Sequence, residues 1–214
     1  MSSKDTYHHG NLRRALKDEA LVLIAEKGVE GLSLREVASR VGVSHAAPYH
    51  HFADRAALVH ALAHEGMALM DKRMAAAEAA AMDDPRARLA AIGLAYVEFA
   101  VERPDYYAAF TAPDCGFGEP RREQPPEPSG DTWGRLLNAV EACQQDHALP
   151  PGDPTVLAVY LWSLVHGLAE LWRLGSFEGL PVSRDGLRPL AEQVLGAALA
   201  SMRLTGGSES GRDG

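Results

Sequence analysis

Two short stretches with helical apolar spacing, separated by one glycine, constrain this chain more than any other feature. In SLREVASRVGVSHAAPYHHF (residues 33–52), Leu34, Val37, Ala38 and Val41 recur at i, i+3, i+4 and i+7, and Gly42 stops the run. Ser33 with Glu36 three residues on has the form of a capping box. After Val43, Ser44 is placed to cap a third helix over HAAPYHH. Pro48 lacks a backbone donor and crowds the carbonyl four residues back, so that helix is expected to be short. Two short helices, a glycine turn between them and apolar positions that lock the pair form helix-turn-helix spacing, whose second helix can enter a DNA major groove.

The rest of the chain reads as helix, since β-branched alternation is absent and Ala, Leu, Glu and Arg dominate. A first helix carries Leu12, Leu16, Ala20, Leu23 and Ile24 and stops at Gly28. Asp54 can cap a connector helix over 55–82. Asp84 followed by Pro85 opens another helix, with Leu89, Ile92, Tyr96, Phe99 and Ala100 on one face, and RPDYYAAF restarts at Pro104. Residues 112–130 hold five prolines and three glycines without an apolar period, and are expected to be a mobile loop. Asp131 caps TWGRLLNAVEACQQDHAL, Ser183 caps a last helix over about 184–204, and 206–214 form a disordered tail.

Between these lies PTVLAVYLWSLVHGLAELWRL (154–174), apolar nearly all round and therefore buried nearly all round. Leu157, Leu161, Leu164, Leu168 and Leu171 follow a 4-3-4-3 spacing, the seam of a coiled-coil-like contact, with internal core as the alternative. The stretch approaches the length of a bilayer span, but His166, Glu170 and Arg173 interrupt it, so no membrane is expected.

Charge is unevenly spread. Residues 1–65 hold eight Lys/Arg, eight Asp/Glu and seven of the nine histidines, whereas 66–214 hold thirteen Lys/Arg against twenty-one Asp/Glu. The first segment can thus meet a polyanion without local opposition. Cys115 and Cys143 have no metal-ligand or disulfide rhythm, and MSSKDTYHHG has no apolar leader, so a reducing, cytoplasmic home is expected. No nucleophile–base pair, phosphate-cradling loop or carboxylate pair suggests an enzyme, and no cofactor is expected.

The segment GVEGLSLREVASRVGVSHAAPYHHFADRAALVHAL resembles the DNA-binding domain of TetR-type transcriptional regulators, and the match runs from Leu12 to about Leu62. Trp162-Ser-Leu-Val-His166-Gly167 further resembles a Trp-x-x-x-His-Gly motif of one C-terminal domain type in that family. The resemblance implies an all-α homodimer: an N-terminal helix-turn-helix domain (1–54) binding double-stranded DNA, and a helical effector-binding and dimerisation domain (55–205). The DNA-binding set it implies is Ser33, Arg35, Ser44, His45, Ala46, Tyr49, His50, His51 and Arg55. Of these, His45 can donate to guanine or accept from a base amino group, while Tyr49, His51 and Arg55 suit phosphates. Ala46-Ala47-Pro48 departs from the Gly-Thr-Leu usual in the family, and Arg55 replaces a commoner lysine. The resemblance also implies a small-molecule effector and a dimer face on the last two helices, here Leu157, Leu161, Leu164, Leu168 and Leu171 with Leu195 and Leu199.

Several residues admit two readings. Tyr96, Phe99, Phe110, Trp133, Trp162 and His166 are core, or line an effector pocket; Trp162, His166 and Glu170 share one helix face. His60 and His64, at i, i+4, are a solvated face, or with His166 belong to a metal-dependent sensor or enzyme; no carboxylate or cysteine stands at ligand spacing. His8 and His9, beside Lys4, Arg13 and Arg14, are a disordered terminus or an arm reaching DNA. A helical scaffold that has lost DNA binding is the third alternative.

Overall fold

A computed structural model describes residues 9–81, 83–113, 115, 131–179 and 186–204. The described residues form eight α-helices and a 3-10 turn, with no strand, as the sequence predicts. They are α1 (His9–Lys27), α2 (Leu34–Val41), the 3-10 turn (Ala47–His50), α3 (Arg55–Ala80), α4 (Pro85–Glu102), α5 (Pro104–Thr111), α6 (Thr132–Gln145), α7 (Pro154–Arg173) and α8 (Leu187–Leu204). The expected arm around Lys4 and His8, the Ser183 cap, the tail, and the loop 112–130 apart from residues 112, 113 and 115 lie outside the described residues.

The chain divides into two compact units, Met1–Ala68 with Arg103–Ser129, and Leu69–Glu102 with Gly130–Gly214. The expected boundary at 54/55 therefore moves. The first unit takes the first half of α3 and all of α5, because α5 packs on α1 and its Tyr106 is buried there. Lys17 Nζ of α1 lies 2.6 Å from Glu65 Oε2 of α3, and the Tyr106 hydroxyl bonds the same carboxylate. A short periodic segment does not reveal which neighbour it packs on.

In the first unit Leu16, Ala20, Leu23 and Ile24 of α1 meet Leu34, Val37 and Ala38 of α2 over a core completed by Phe52, Leu58 and Leu62. Gly42 ends α2 in the left-handed region at φ +79°, and the Val43 amide reaches back to the Ala38 carbonyl at 3.0 Å. The capping box expected at the other end does not close. Ser33 makes no side-chain capping bond, and the Glu36 carboxylate, the other half of the box, goes instead to Lys27 at 2.6 Å and to Arg40 at 3.2 Å.

The second unit is organised on α4, against which α6, α7 and α8 all pack. Leu89, Ile92, Tyr96 and Phe99 are buried along it. Gly93 lets α7 and α8 close in: a Cβ there would stand 3.1 Å from Leu195 Cδ1 and 3.4 Å from Val165 Cγ1. Arg86 fastens the start of α4, donating to the Ala148 carbonyl at 2.9 Å and to the Leu199 carbonyl. Asp84, Asp131 and Asp153 each accept a backbone N–H at the start of α4, α6 and α7. The second half of α3 is sewn in by ion pairs, Arg73 to Glu98 at 2.9 Å and Arg135 to Asp71 and Glu78 at 2.9 and 2.7 Å.

α7 is long and apolar enough to cross a bilayer by length and composition, but one face supplies core: Ala158, Leu161, Val165, Leu168 and Ala169 are buried. This corrects the expected leucine seam. Leu161, Leu168, Leu195 and Leu199 lie inside this unit, Leu157 and Leu164 are half-buried, and of the seven only Leu171 is exposed. The outward stripe is instead Val156, Tyr160, Ser163, Gly167, Leu171 and Leu174, one residue or so around the helix. A helix apolar on every face has no polar side to fix its rotation, so periodicity alone leaves the choice open.

Burial pushes the Glu65 carboxyl up, but the Lys17 ammonium, the Tyr106 hydroxyl and the Arg14 charge together hold the group below the usual carboxylate range. A depressed carboxyl contributes stability present above its unfolded pKa and lost as pH falls through the folded one. Replacing Lys17 with Met is therefore expected to lower stability by about 1–2 kcal/mol at neutral pH, less than for a dry pair because both groups stay partly wet. The deficit relative to wild type should shrink once Glu65 is protonated, and urea unfolding at neutral and acid pH measures both arms.

Candidate nucleic-acid interface

Pro48 sets the geometry of the segment after α2. With no N–H it cannot extend an α-helical ladder, and the expected third helix is a 3-10 turn. The Ala47 amide bonds the Ser44 carbonyl at 3.0 Å, the Tyr49 amide bonds Ala46 at 3.2 Å, and the His51 and Phe52 amides share the Pro48 carbonyl at 2.9 Å. Pro48 itself is buried and Phe52 is 2% exposed, so both ends of the turn are anchored. Between and before them, Ser44, His45, Ala46, Tyr49 and His50 are exposed together, while His51 is half-buried. Ser33 and Arg35 are exposed at the start of α2.

One expected phosphate contact, Arg55, is engaged inside the protein. Arg55 turns inward, half-buried, and its Nη2 donates to the Val29 carbonyl at 2.6 Å, tying the start of α3 to the loop after α1. At the N-terminus of α3 the expected Asp54 cap is made, with Oδ1 accepting the Ala57 amide at 2.7 Å. The Arg55 bond joins residues 26 positions apart, which spacing does not disclose.

Three contributors lie outside the expected set. Ser39 donates its hydroxyl to the Arg35 carbonyl at 3.0 Å and stands 2.9 Å from His45 Nε2, so α2 holds the histidine. A Ser four residues after an exposed carbonyl in a short helix was the available signal. Arg40 pairs with Glu26 at 2.7 Å, Glu36 at 3.2 Å and Glu19 at 3.4 Å, bracing α2 against α1. Hydrogen bonding to Arg40 lowers the Glu26 carboxyl and raises the arginine, and hydrogen bonding to Lys27 does most to lower Glu36. Arg13 sits over the Phe52 ring, 5.0 Å from its centroid, placing a cation beside the turn.

A second cluster lies in the other unit. Tyr96 Oη is 2.7 Å from His166 Nδ1, the Trp162 ring is 5.8 Å from the imidazole, and Trp133 meets Trp162 edge-on at 6.3 Å. Four of the six expected pocket residues thus form one chain, running from buried Tyr96 to half-buried His166 and two indoles that are 45% and 41% exposed. Phe99 is buried in the α4 core. Phe110 belongs to the first unit, where it stacks edge-on against Tyr107, so that unit's core claims it.

His60 and His64 are not the solvated pair expected. They are half-buried in the first unit with Nε2 atoms 3.0 Å apart. Among the described residues no group of three or more His, Cys, Asp or Glu is gathered to hold a metal ion, and His166 lies in the second unit.

Residues 16–62 match the sequence family of bacterial regulatory proteins, tetR family, and residues 89–198 match that of the tetracyclin repressor-like C-terminal domain. None of the curated proteins matches the chain. A solved protein of unknown function from Rhodococcus sp. RHA1 is 31% identical at TM-score 0.67, over 94% of this chain and 98% of that one. A tetR-family bacterial regulatory protein from Rhodococcus RHA1 is 20% identical at TM-score 0.64, over 89% and 96%. AibR, solved in complex with isovaleryl coenzyme A and operator DNA, is 22% identical at TM-score 0.58, over 89% and 97%. With the helix-turn-helix in one matched segment and the helical second unit in the other, the chain belongs to the tetR family of bacterial regulatory proteins, DNA-binding regulators of transcription.

Proposed function

We propose that the chain is a cytoplasmic, ligand-responsive repressor, without enzymatic activity, that binds a near-palindromic operator as a homodimer and is released by a small-molecule effector. The observation that carries this reading is the row Ser44, His45, Ala46, Tyr49 and His50, exposed together on a turn anchored by Pro48 and Phe52. His45, Ala46 and His50 suit base edges, while Tyr49 and His51 suit phosphate oxygens, with Ser33 and Arg35 flanking.

Dimerisation is supported by the outward stripe of α7. Val156 and Leu174 are each 64% exposed, and Tyr160 and Leu171 lie between them. Gly196 of α8 has open space where a Cβ would stand, and Ala197 and Ala200 beside it are exposed, so a second helix pair could approach closely. An apolar face of this kind is covered by a second copy in an isologous contact. A two-fold dimer presents its recognition turns to successive major grooves, roughly 34 Å apart.

In this reading the effector binds at the Tyr96–His166–Trp162–Trp133 cluster; what supports it is a polar pair flanked by two partly open indoles. An effector seated there would bias α3, which runs unbroken from one unit into the other, and so alter the spacing of the turns. Effector and operator then weaken each other reciprocally.

Selection from random-sequence DNA is expected to enrich an inverted repeat; enrichment of no site at any salt concentration overturns the proposal. Tyr49→Ala should weaken binding to every sequence alike, about fivefold for one lost hydrogen bond, as read by gel shift. Replacing Leu171 and Leu174 with Glu should convert the dimer to monomer in sedimentation while leaving the helical circular-dichroism signal, and should weaken operator binding at the same time.

A further inference from the structure

His45 has two ring nitrogens, and the partner of one decides what the other can read. Ser39 Oγ lies 3.0 Å from the Arg35 carbonyl and 2.9 Å from His45 Nε2. The carbonyl can only accept, and the hydroxyl has a single proton. If that proton goes to the imidazole, the bond to Arg35 is lost. If it goes to Arg35, the hydroxyl lone pair receives Nε2–H and both bonds are made. The second assignment keeps one more hydrogen bond, and it leaves Nδ1 deprotonated on a side chain exposed to solvent.

We infer that Ser39 fixes the neutral His45 in its Nε2–H form, so that Nδ1 faces DNA as a hydrogen-bond acceptor and reads an exocyclic amino group, adenine N6 or cytosine N4. The acceptors of guanine, N7 and O6, offer Nδ1 nothing to bond, whereas each amino group presents a donor in the major groove. Ser39 is then a positioning residue that touches no base, and His45 is the residue that discriminates. The inference rests on the DNA-binding reading above and adds to it the class of base that one side chain selects.

A functional-group cycle on the selected operator tests this with the full chain. The position read by His45 is the base pair at which His45→Ala loses preference. Substituting purine for adenine, or pyrimidin-2-one for cytosine, deletes the amino group there. That deletion is expected to weaken wild-type binding about three- to tenfold, the worth of one hydrogen bond, and to leave His45→Ala unchanged. Replacing the purine N7 by carbon at the same pair should leave wild-type affinity as it was. Ser39→Ala should lose most of the sensitivity to amino deletion with the same salt dependence, and Ser39→Thr should restore it. Nitrogen-15 NMR of wild type should show Nδ1 unprotonated. The inference is overturned if wild type responds to loss of N7 rather than of the amino group, if Nδ1 carries the proton, or if His45→Ala keeps the wild-type preference at every pair. A wild-type chain that selects no sequence brings down the regulator reading instead, and is told apart because no operator then exists on which to run the cycle.

Discussion

The recognition segment depends on one missing hydrogen. Pro48 has no amide proton, and the ring that removes it also fixes φ, so the chain after Gly42 cannot continue as a regular helix. What replaces the ladder is packing. Pro48 and Phe52 go inward, the Pro48 carbonyl takes the two amides that follow, and Arg13 covers the Phe52 ring from outside. A four-residue 3-10 turn has little intrinsic stability. Its exposed residues are therefore held in place by side chains around it: Ser39 on His45, Arg55 on the Val29 carbonyl, and Arg40 bracing α2 by three carboxylates. The exposed ion pairs are individually weak, but those of Arg40 with Glu19 and Glu26 both tie α2 to α1, the helix it packs on.

The second unit solves a different problem, that of packing three helices on one. α4 carries large side chains at Leu89, Ile92, Tyr96 and Phe99 and a glycine at 93, so α7 and α8 approach closely at one level and are spaced by bulk above and below it. Arg86 then closes the end of the bundle, donating to the Ala148 carbonyl beyond α6 and to the Leu199 carbonyl of α8. The ion pairs of Arg73 and Arg135 bring the second half of α3 into this unit, although the helix begins in the other. α3 thus contributes its first half to the packing of one unit and its second half to that of the other.

Local features were legible in the sequence, and features joining distant residues were not. The stop at Gly42 and the caps at Asp54, Asp84 and Asp131 involve residues at most a few positions apart, and they form as their spacing predicts. The Ser33–Glu36 box has equally good spacing and does not form: Ser33 makes no side-chain cap, and the glutamate carboxylate goes to Lys27 and Arg40 outside the motif. Arg55 is an inward anchor for the same kind of reason: the Val29 carbonyl, 26 positions away, has a stronger claim on it than solvent. The order of helices was readable, but the membership of α5 was not, since its burial of Tyr106 depends on Lys17 and Glu65.

α7 shows why apolar periodicity underdetermines a site. Its inward face meets α4, with Ala158, Leu161 and Val165 buried; its flank carries Trp162 and His166 toward Tyr96 and Trp133; its outward stripe runs from Val156 through Leu171 to Leu174. Each face is apolar for a separate reason, namely core, aromatic cluster and uncovered surface. A hydrophobic count sees one uniform helix, and the leucines, being commonest, draw the seam toward the core side. Only the residues that interrupt the leucines distinguish the faces: small Ser163 and Gly167 mark where another backbone can come close, and the polar edge of His166 marks where a hydrogen bond must be satisfied. In a helix apolar on every face but buried on only one, the exceptions to the pattern carry the positional information.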